Sequence, residues 1–193
     1  LSNVNFTFSK EDELLSQKIS NQIGIDINKN FITINLRDYE YFNKYHSQMD
    51  KDYWNVKNCN IEDYKLSIQN LINNGYQVIR IGKGSEKKLD IDSKYYFDIT
   101  NHEFRSDMFE LYLASKSKFL IGCNSGATYA NLYLFKKPTY ISNALPIGLA
   151  YTSSNKILTN FKSIFNKKNN SKLSLTEMYE RGLFFYQFSD GYS

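Results

Sequence analysis

The sequence has few of the residues from which metal sites and disulfide frameworks are built. Its 193 residues include only two cysteines, two histidines and two prolines. Cys59 and Cys123 lie far apart and form no CxxC pair, and His46 and His102 form no cluster. We therefore expect neither a structural zinc site nor a disulfide, and we expect no catalytic metal. The two cysteines are interpreted as packing residues.

Long apolar runs and charge of a single sign are also missing. No run reaches the roughly 18 residues that a membrane span needs, and no signal peptide opens the chain. Lys and Arg number 24 against 20 Asp and Glu, which gives a net charge of +4 that is spread along the chain. This distribution gives no support for nucleic-acid binding. The oligomeric state is left open, and a start at Leu1 rather than Met suggests a fragment.

What is present is a globular composition, with 41% hydrophobic and 23% charged residues, in which strands and helices alternate. Hydrophobic periodicity and capping signals predict helices at residues 10–23, 61–74, 106–115, 127–135 and 174–181. Short apolar runs predict strands at residues 31–36, 76–81, 95–99, 119–122 and 139–142. The alternation predicts one α/β domain over residues 1–193, with a Rossmann-like parallel sheet and helices on both faces.

Some local features of these elements are predicted as well. Ser9 and Ser174 are expected to cap helix starts, each with an acid three residues later. Residues 37–60 are predicted to form a long loop, and residues 143–172 are the least ordered-looking stretch. The helix at 106–115 is expected to turn four side chains toward the core, those of Met108, Leu111, Tyr112 and Ala114.

Ligands of parallel sheets bind outside the carboxyl ends of the strands. If the sheet is parallel, the loops that follow the strands share one rim. These loops are residues 37–38, 82–84, 98–107, 123–126 and 143 onward. The segment from Gly82 to Ser85 lacks the pattern of a P-loop and is interpreted as a turn.

The sharpest local feature is a turn of small and polar residues between a short buried strand and a helix. It consists of Asn124, Ser125, Gly126 and Ala127. Small residues let a ligand approach the backbone, and the N–H groups and dipole of a helix start favour an anion such as a diphosphate. An ordinary strand-to-helix turn with an Asn or Ser cap explains the same residues. The residues alone leave both interpretations open.

Two arginines beside acidic residues are expected on the rim. Arg37 precedes Asp38 at the end of the first strand, and Arg105 precedes Asp107 at a predicted helix start. A strand-end arginine can pair bidentately with phosphate oxygens, and Asp38 can orient it or act as a base. The alternatives are a surface ion pair for Arg37 and a first-turn acid that suits the helix dipole for Asp107.

Several segments, taken in order, carry a resemblance to a known family. They read FITINLRDYEYFNKYH, KNCNIEDY, NNGYQVIRIG, FRSDMFELYLASKSKFLIGCNSG and KKPTYISNALPIG. Their order and spacing resemble a family of bacterial glycosyltransferases of the two-domain GT-B type. Lys57 and Asn58 stand at an Arg-Asn of that family, and Arg105 and Asp107 match its Arg-Ser-Asp. Asn35 replaces a histidine before the family's strand-end arginine.

A more distant resemblance connects this family with the α-1,6-fucosyltransferase group. In that group a strand end and a later strand-to-helix turn hold the nucleotide diphosphate. The resemblance places Arg37 and Asp38 at the strand end, and Asn124, Ser125 and Gly126 at the turn.

The resemblance implies the donor-binding half of a transferase that moves a sugar from a nucleotide-diphosphate sugar to a glycan or lipid acceptor. It implies no cofactor or metal, a second domain for the acceptor, and a place in the cytoplasm or at the inner face of the membrane, with peripheral membrane contact. The implied catalytic residues are Arg37, Asp38 and Arg105. The implied donor-binding residues are Lys57, Asn58, Asp107, Asn124, Ser125, Gly126 and Ala127. Two alternatives remain, a transferase of another group such as pyruvyl on the same fold, and a non-catalytic binding or scaffold domain.

Overall fold

A computed structural model describes residues 6–40, 44, 57–83, 87–145, 147 and 155–184. The described strands form one six-stranded, fully parallel sheet in the order β3-β2-β1-β4-β5-β6. The strands are β1 (Phe31–Asn35), β2 (Gln77–Ile81), β3 (Tyr96–Asp98), β4 (Leu120–Cys123), β5 (Thr139–Ala144) and β6 (Ile157–Phe161). The α-helices are α1 (Lys10–Ile23), α2 (Lys65–Asn73), α3 (Asp107–Lys116), α4 (Gly126–Phe135) and α5 (Leu175–Glu180). The strand order is that of doubly wound Rossmann folds, so the predicted fold class is confirmed.

Separate hydrophobic clusters lie on the two faces of the sheet. Ile32 of β1 packs on one face with Ile68 of α2. Phe31, its neighbour in the strand, packs on the other face with Phe109 of α3. Successive side chains of a strand point to opposite faces, and all five residues of β1 are buried. Helices therefore cover both faces, as the sequence predicts.

The helix ends follow the capping signals of the sequence. The Ser9 hydroxyl accepts the Asp12 N–H at 3.1 Å at the start of α1. Gly24 closes that helix with a φ of +90°, in the left-handed region where glycine has no steric cost. Ser174 and Glu177 form a capping box at the start of α5. The predicted helix at 61–74 begins as a 3-10 turn before it continues as α2.

Two predictions from the hydrophobic pattern need correction. Of the four α3 side chains predicted to face the core, Tyr112 and Ala114 are buried, but Met108 is 38% exposed and Leu111 is only half-buried. Phe109 and Leu113 complete the buried side of the helix. The stretch at 143–172 contains β6, which pairs in parallel with β5. Side chains of β6 alternate between half-buried and exposed, and Leu158 is 69% exposed. An edge strand of this kind carries no apolar run that sequence patterns could detect.

Helix α4 starts in close contact with β4 at Gly122. A side-chain carbon on Gly122 would overlap Oγ1 and Cγ2 of Thr128 and would lie 3.0 Å from its Cβ. Thr128 is fully buried in the first turn of α4. Glycine at position 122 therefore lets the helix start sit directly on the sheet, and this contact positions the turn at 124–126.

We expect Gly122→Ala to lower the free energy of unfolding by about 1–3 kcal/mol, because the added methyl group has no room. Thr128→Ala in the same chain should recover part of the loss, since it removes the two atoms that the methyl group would overlap. Urea denaturation of the single and double variants measures both effects.

Gly126→Ala is the matched control, because no atom lies within 4 Å of the added carbon. Removing a helical glycine there should change stability by no more than about 1 kcal/mol. Equal losses in the two Gly→Ala variants would contradict the role given to the Gly122 contact.

Candidate functional site

The strand order places a crevice between the carboxyl ends of β1 and β4. These strands pair in parallel, with Asn35 opposite Gly122 in the last register position. The chain leaves β1 toward β2 on one side and leaves β4 toward β5 on the other. This reversal is the topological switch point at which Rossmann-type folds bind their ligands. The loops after these two strands therefore form the candidate site.

The main chain of Arg37 joins three segments at this crevice. Its N–H donates to the Cys123 Sγ at 3.1 Å, which ties the end of β1 to the end of β4. Its carbonyl accepts the Cys59 N–H at 2.8 Å. The second bond brings residues 57–59 back beside β1, although residues 41–43 and 45–56, His46 among them, lie outside the described residues.

Cations are gathered beside this junction. Lys57 is only 9% exposed. Burial, and then the electrostatic repulsion of the Arg37 guanidinium, lower the pKa of Lys57. Lys162, which follows β6, places its Nζ 3.5 Å from the Asn58 carbonyl oxygen. We call Arg37, Lys57 and Lys162 the cationic group. Because like charges in a partly buried place repel, an anion bound here would relieve the repulsion.

The start of α4 faces the same crevice with an exposed first turn. Ser125 caps the helix, and its hydroxyl accepts the Thr128 N–H at 3.4 Å. Gly126 and Ala127 are exposed. Their N–H groups belong to the first four of the helix, which have no partner within it, and the helix dipole adds partial positive charge there.

Asn124 shapes this turn through both ends of its amide. Its Nδ2 donates to the Leu145 carbonyl oxygen at 2.7 Å, and its Oδ1 accepts the Tyr129 hydroxyl at 2.8 Å. The first bond links the end of β4 to the end of β5. The side chain of Asn124 thus holds the turn in place, and the helix N–H groups beyond it are the part of the turn that is presented outward.

Asp38 is held by a buried arginine that sequence reasoning missed. The Arg80 side chain is 2% exposed, and its guanidinium lies 3.0 Å from the Asp98 carboxylate and 3.7 Å from that of Asp38. Arg80 also donates to the Lys87 carbonyl oxygen at 2.6 Å. An arginine between Ile79 and Ile81 of a buried strand was the available signal, because a buried charge needs a partner. The position of Asp38 is therefore set by β2 and β3.

Arg105 belongs to a second group at the end of β2. Its Nε lies 3.0 Å from the Glu110 carboxylate, and its terminal nitrogen lies 2.5 Å from that of Asp107. Glu110, also missed in the sequence, accepts the Gly82 N–H at 2.8 Å. Burial lowers the pKa of Arg105, but these carboxylates outweigh it and raise the pKa overall. Two acids therefore balance the charge of Arg105.

A buried polar network lies under the cationic group. The Tyr64 hydroxyl lies 2.5 Å from the Ser142 hydroxyl, which donates to the Gly122 carbonyl oxygen at 3.0 Å. The Asn143 amide donates to the Tyr64 oxygen at 3.3 Å and to the Cys59 sulfur at 3.6 Å. Asn143 holds a φ of +51°, a strained value that non-glycine residues rarely adopt. Burial raises the pKa of Tyr64, so the phenol stays protonated.

The two cysteines meet at the crevice despite their separation in sequence. The neighbouring Cys123 side chain lowers the pKa of Cys59 to about 6, against the opposing effect of burial. The Cys59 side chain, together with burial, raises the pKa of Cys123. Both are buried in the core cluster that contains Ile34 and Ile121, which fits their interpretation as packing residues. Both thiols are free.

Two absences concern the described part of the chain. Within it, no group of three or more His, Cys, Asp and Glu side chains is placed to hold a metal ion. None of its helices has the length and apolar character needed to cross a membrane.

Comparisons with known proteins identify similar folds. No family model and no curated protein matches the chain. The ADP-heptose LPS heptosyltransferase II of E. coli is similar with a TM-score of 0.55 and 14% identity, over 85% of this chain and 46% of that one. A glycosyl transferase of family 9 from Veillonella parvula DSM 2008 is similar with a TM-score of 0.60 and 12% identity, over 83% of this chain and 43% of that one.

These similarities concern the fold, because the sequence identities are low. The chain spans less than half the length of each of the two structures. Both structures are glycosyltransferases, and neither belongs to the α-1,6-fucosyltransferase group. The distant resemblance to that group therefore stays a prediction from the sequence.

We expect Arg80→Leu to cost about 3–5 kcal/mol of unfolding free energy, because it leaves the Asp38 and Asp98 carboxylates without their buried partner. Asp98→Asn added to Arg80→Leu should recover part of this loss, since it removes one uncompensated charge. Chemical denaturation measures both.

The matched control for this series is Lys29→Ala, which breaks the exposed pair of Lys29 with Asp26 at 3.6 Å. An exposed pair is worth about 0–1 kcal/mol. A loss for Arg80→Leu as small as that of the control would show that the buried ion pairs do not support the rim.

Proposed function

We propose that this chain is the donor-binding domain of a glycosyltransferase that uses a nucleotide-diphosphate sugar and a glycan or lipid acceptor. The observation that carries the proposal is the cationic group beside the exposed start of α4, at the switch point of the sheet. Mutually repelling cations and a helix N-terminus together suit a ligand with several negative charges. A diphosphate between a nucleoside and a sugar is such a ligand.

The fold neighbours support the choice of reaction. One is described as an ADP-heptose heptosyltransferase and the other as a glycosyl transferase. Fold alone does not determine function, so the neighbours add to the proposal only because the local charges of this chain fit the same class of donor. The base and sugar of the donor are left open.

In the proposed reaction the sugar leaves a nucleoside diphosphate, on which negative charge develops. Arg37, Lys57 and the N–H groups of Gly126 and Ala127 would stabilise that charge. This assignment needs no metal ion for the leaving group. Hydrogen-bond donors at the end of a rigid sheet are already in place and do not have to reorient during the reaction. This preorganisation is the main source of such stabilisation.

Asp38 is the proposed base toward the acceptor hydroxyl. Its side chain is 15% exposed, and its contact with Arg80 fixes its place beside the crevice. Arg105 receives a positioning role in this proposal, because Asp107 and Glu110 already balance its charge. Through Glu110 it supports Gly82, which follows β2 on the same rim.

The acceptor would bind largely outside this chain. A chain that spans less than half of its structural neighbours leaves room for a second domain across the crevice. We propose that a further domain closes the site in the complete protein, as in enzymes of the GT-B type. The use of nucleotide sugars by the complete protein would place the reaction in the cytoplasm or at the inner face of the membrane.

A thermal-shift screen against GDP, UDP, ADP and CMP sugars tests the class of ligand. At about 100 times its Kd, a ligand of the folded state adds about 2.7 kcal/mol of stability and raises the unfolding midpoint. We expect at least one nucleotide sugar to do so. A shift with phosphoenolpyruvate alone would favour pyruvyl transfer instead, and no shift with any of these ligands would favour a non-catalytic domain.

Calorimetric titration of variants with the nucleotide found in that screen tests the residues. Arg37→Ala should weaken binding by about 1.5–3 kcal/mol, the usual range for a hydrogen bond to a charged group. Gly126→Val should also weaken binding, because its side chain would occupy the approach to the helix N–H groups. Nothing lies within 4 Å of a carbon added at Gly126, so the variant should fold.

Lys29→Ala, an exposed change after α1, is the control for these titrations and should bind like the parent. Arg105→Ala should weaken binding less than Arg37→Ala does. If Arg37→Ala and Gly126→Val both bind like the parent while circular dichroism shows them folded, the proposed diphosphate site is wrong.

A further inference from the structure

The acidic residues of the chain are unevenly distributed along its sequence. Residues 111–176 contain nine lysines but no Asp, Glu or Arg. This segment therefore carries a net charge of +9, and the remaining residues carry −5, which together give the +4 of the whole chain. The segment includes the strands β4, β5 and β6 and the helix α4. Three of the six strands thus lie in a stretch of purely positive charge.

Five of these lysines stand where the strands begin, at the amino edge of the sheet and opposite the crevice. Lys118 precedes β4 by two residues, Lys137 precedes β5 by two residues, and Lys156 directly precedes β6. Lys116 ends α3, and Lys136 caps the end of α4. We call these five residues the lysine edge.

Hydrogen bonds hold the starts of these strands at one level. The Leu120 N–H of β4 donates to the Pro138 carbonyl oxygen at 2.9 Å. The Thr139 N–H of β5 donates to the Lys156 carbonyl oxygen at 2.8 Å. The Lys156 Nζ in turn lies 3.3 Å from the Lys136 carbonyl oxygen. The fold therefore brings together lysines that are well separated in the sequence.

The charges of the lysine edge are accessible and close together. Four of its side chains are exposed, and that of Lys137 is half-buried. Burial lowers the pKa of Lys137, and the charges of three other members, Lys118, Lys116 and Lys156, lower it further. Glu13 lies 3.1 Å from Lys116 and balances one of the five charges. The helix dipole accounts for the lysines at the two helix ends, but not for the three that precede the strands.

Exposed apolar side chains flank the lysine edge on both faces of the sheet. Tyr133, in the last turn of α4, is 48% exposed, and Phe135 of the same turn packs on the cluster beneath α3. Leu158 of β6 is 69% exposed and lies beside Tyr140 of β5, which packs on the cluster of the other face. Lysines next to an exposed aromatic and an exposed aliphatic side chain are typical of surfaces that rest in the headgroup region of a bilayer.

We propose that the lysine edge binds the surface of a membrane that contains anionic phospholipids. Anionic headgroups attract lysines that come within a Debye length of the surface, and Tyr133 and Leu158 would enter the headgroup region beside them. A nucleic acid fits this surface less well. The segment lacks arginine, the residue that contacts phosphate groups bidentately, and a nucleic acid offers no apolar phase for Leu158.

The lysine edge and the crevice lie at opposite ends of the same strands. The lysines stand before the strands, whereas the turn at 124–126 follows the carboxyl end of β4. A docked protein would therefore keep its crevice open to solution, and vesicles should not compete with a nucleotide. Membrane binding by this edge does not require the proposed sugar transfer.

Co-sedimentation of the folded chain with lipid vesicles tests the proposal. We expect binding to vesicles that contain phosphatidylglycerol and none to vesicles of phosphatidylcholine alone. Raising the salt concentration from about 0.1 M to about 1 M shortens the Debye length from about 10 Å to about 3 Å and should release the protein. No binding to the anionic vesicles, or equal binding to both kinds, would overturn the proposal. A preference for double-stranded DNA over anionic vesicles at equal phosphate concentration would overturn the membrane as the ligand.

Variants that remove charge locate the membrane-binding surface. Lys118→Gln combined with Lys136→Gln should lower the partition constant at least about tenfold, because each lysine near an anionic surface contributes about fivefold. Both side chains are exposed, so the variant should fold. Lys83→Gln combined with Lys88→Gln is the matched control, because it removes the same charge from exposed residues between β2 and β3. Equal losses in the two variants would show that net charge drives binding and would overturn the role of the lysine edge.

Nucleotide binding separates this proposal from the proposed function. Vesicle binding by a chain that binds no nucleotide sugar would support the lysine edge and count against the proposed function alone. Vesicles that abolish nucleotide binding would overturn docking through the amino edge of the sheet.

Discussion

The parallel pairing of β1 with β4 is the constraint on which the candidate site depends. It brings the strand ends at Asn35 and Gly122 to the same level, while the connections that follow turn to opposite sides of the sheet. Arg37 and the turn after Cys123 become neighbours only because of this pairing. The hydrogen bond from the Arg37 N–H to the Cys123 sulfur then fixes how closely they approach. Residues 57–59 are attached to the same strand end through the Arg37 carbonyl, whereas Asp38 also depends on Arg80 of β2.

The arginines of the rim have different charged neighbours. Arg80 and Arg105 each lie against two carboxylates, so their charges are balanced within the fold. Arg37 instead lies close enough to Lys57 to lower the pKa of that lysine. Like charges held close together in a partly buried place repel each other, and the diphosphate of the proposed function would supply the opposite sign. Under that proposal, Arg37 is the arginine of the rim that contacts the ligand.

Much of the fold could be predicted because it rests on local signals. Ser9 and Gly24 mark the ends of α1 through their own hydrogen bonds and backbone preference, and β1 is an apolar run buried on both faces. Edge strand β6 could not be predicted, since two of its five side chains face solvent and the other three are only half-buried. The contacts of the site were also hidden, because Arg80 with Asp38 and Cys59 with Cys123 meet only after the sheet has assembled. The sequence pattern predicts which loops lie at the rim, but tertiary structure decides which side chains meet there.

The contact between Gly122 and Thr128 restricts the order in which these positions can change during evolution. A larger residue at 122 is disfavoured while threonine occupies 128, whereas a smaller residue at 128 can be accepted first. After such a step, a larger residue can be accepted at position 122. That residue would then prevent a return to threonine at position 128. Related chains should therefore show the two positions changing together, with a history that runs more easily in one direction than in the other. The start of α4 is inherited as a matched pair of residues, and neither position is informative when it is compared alone.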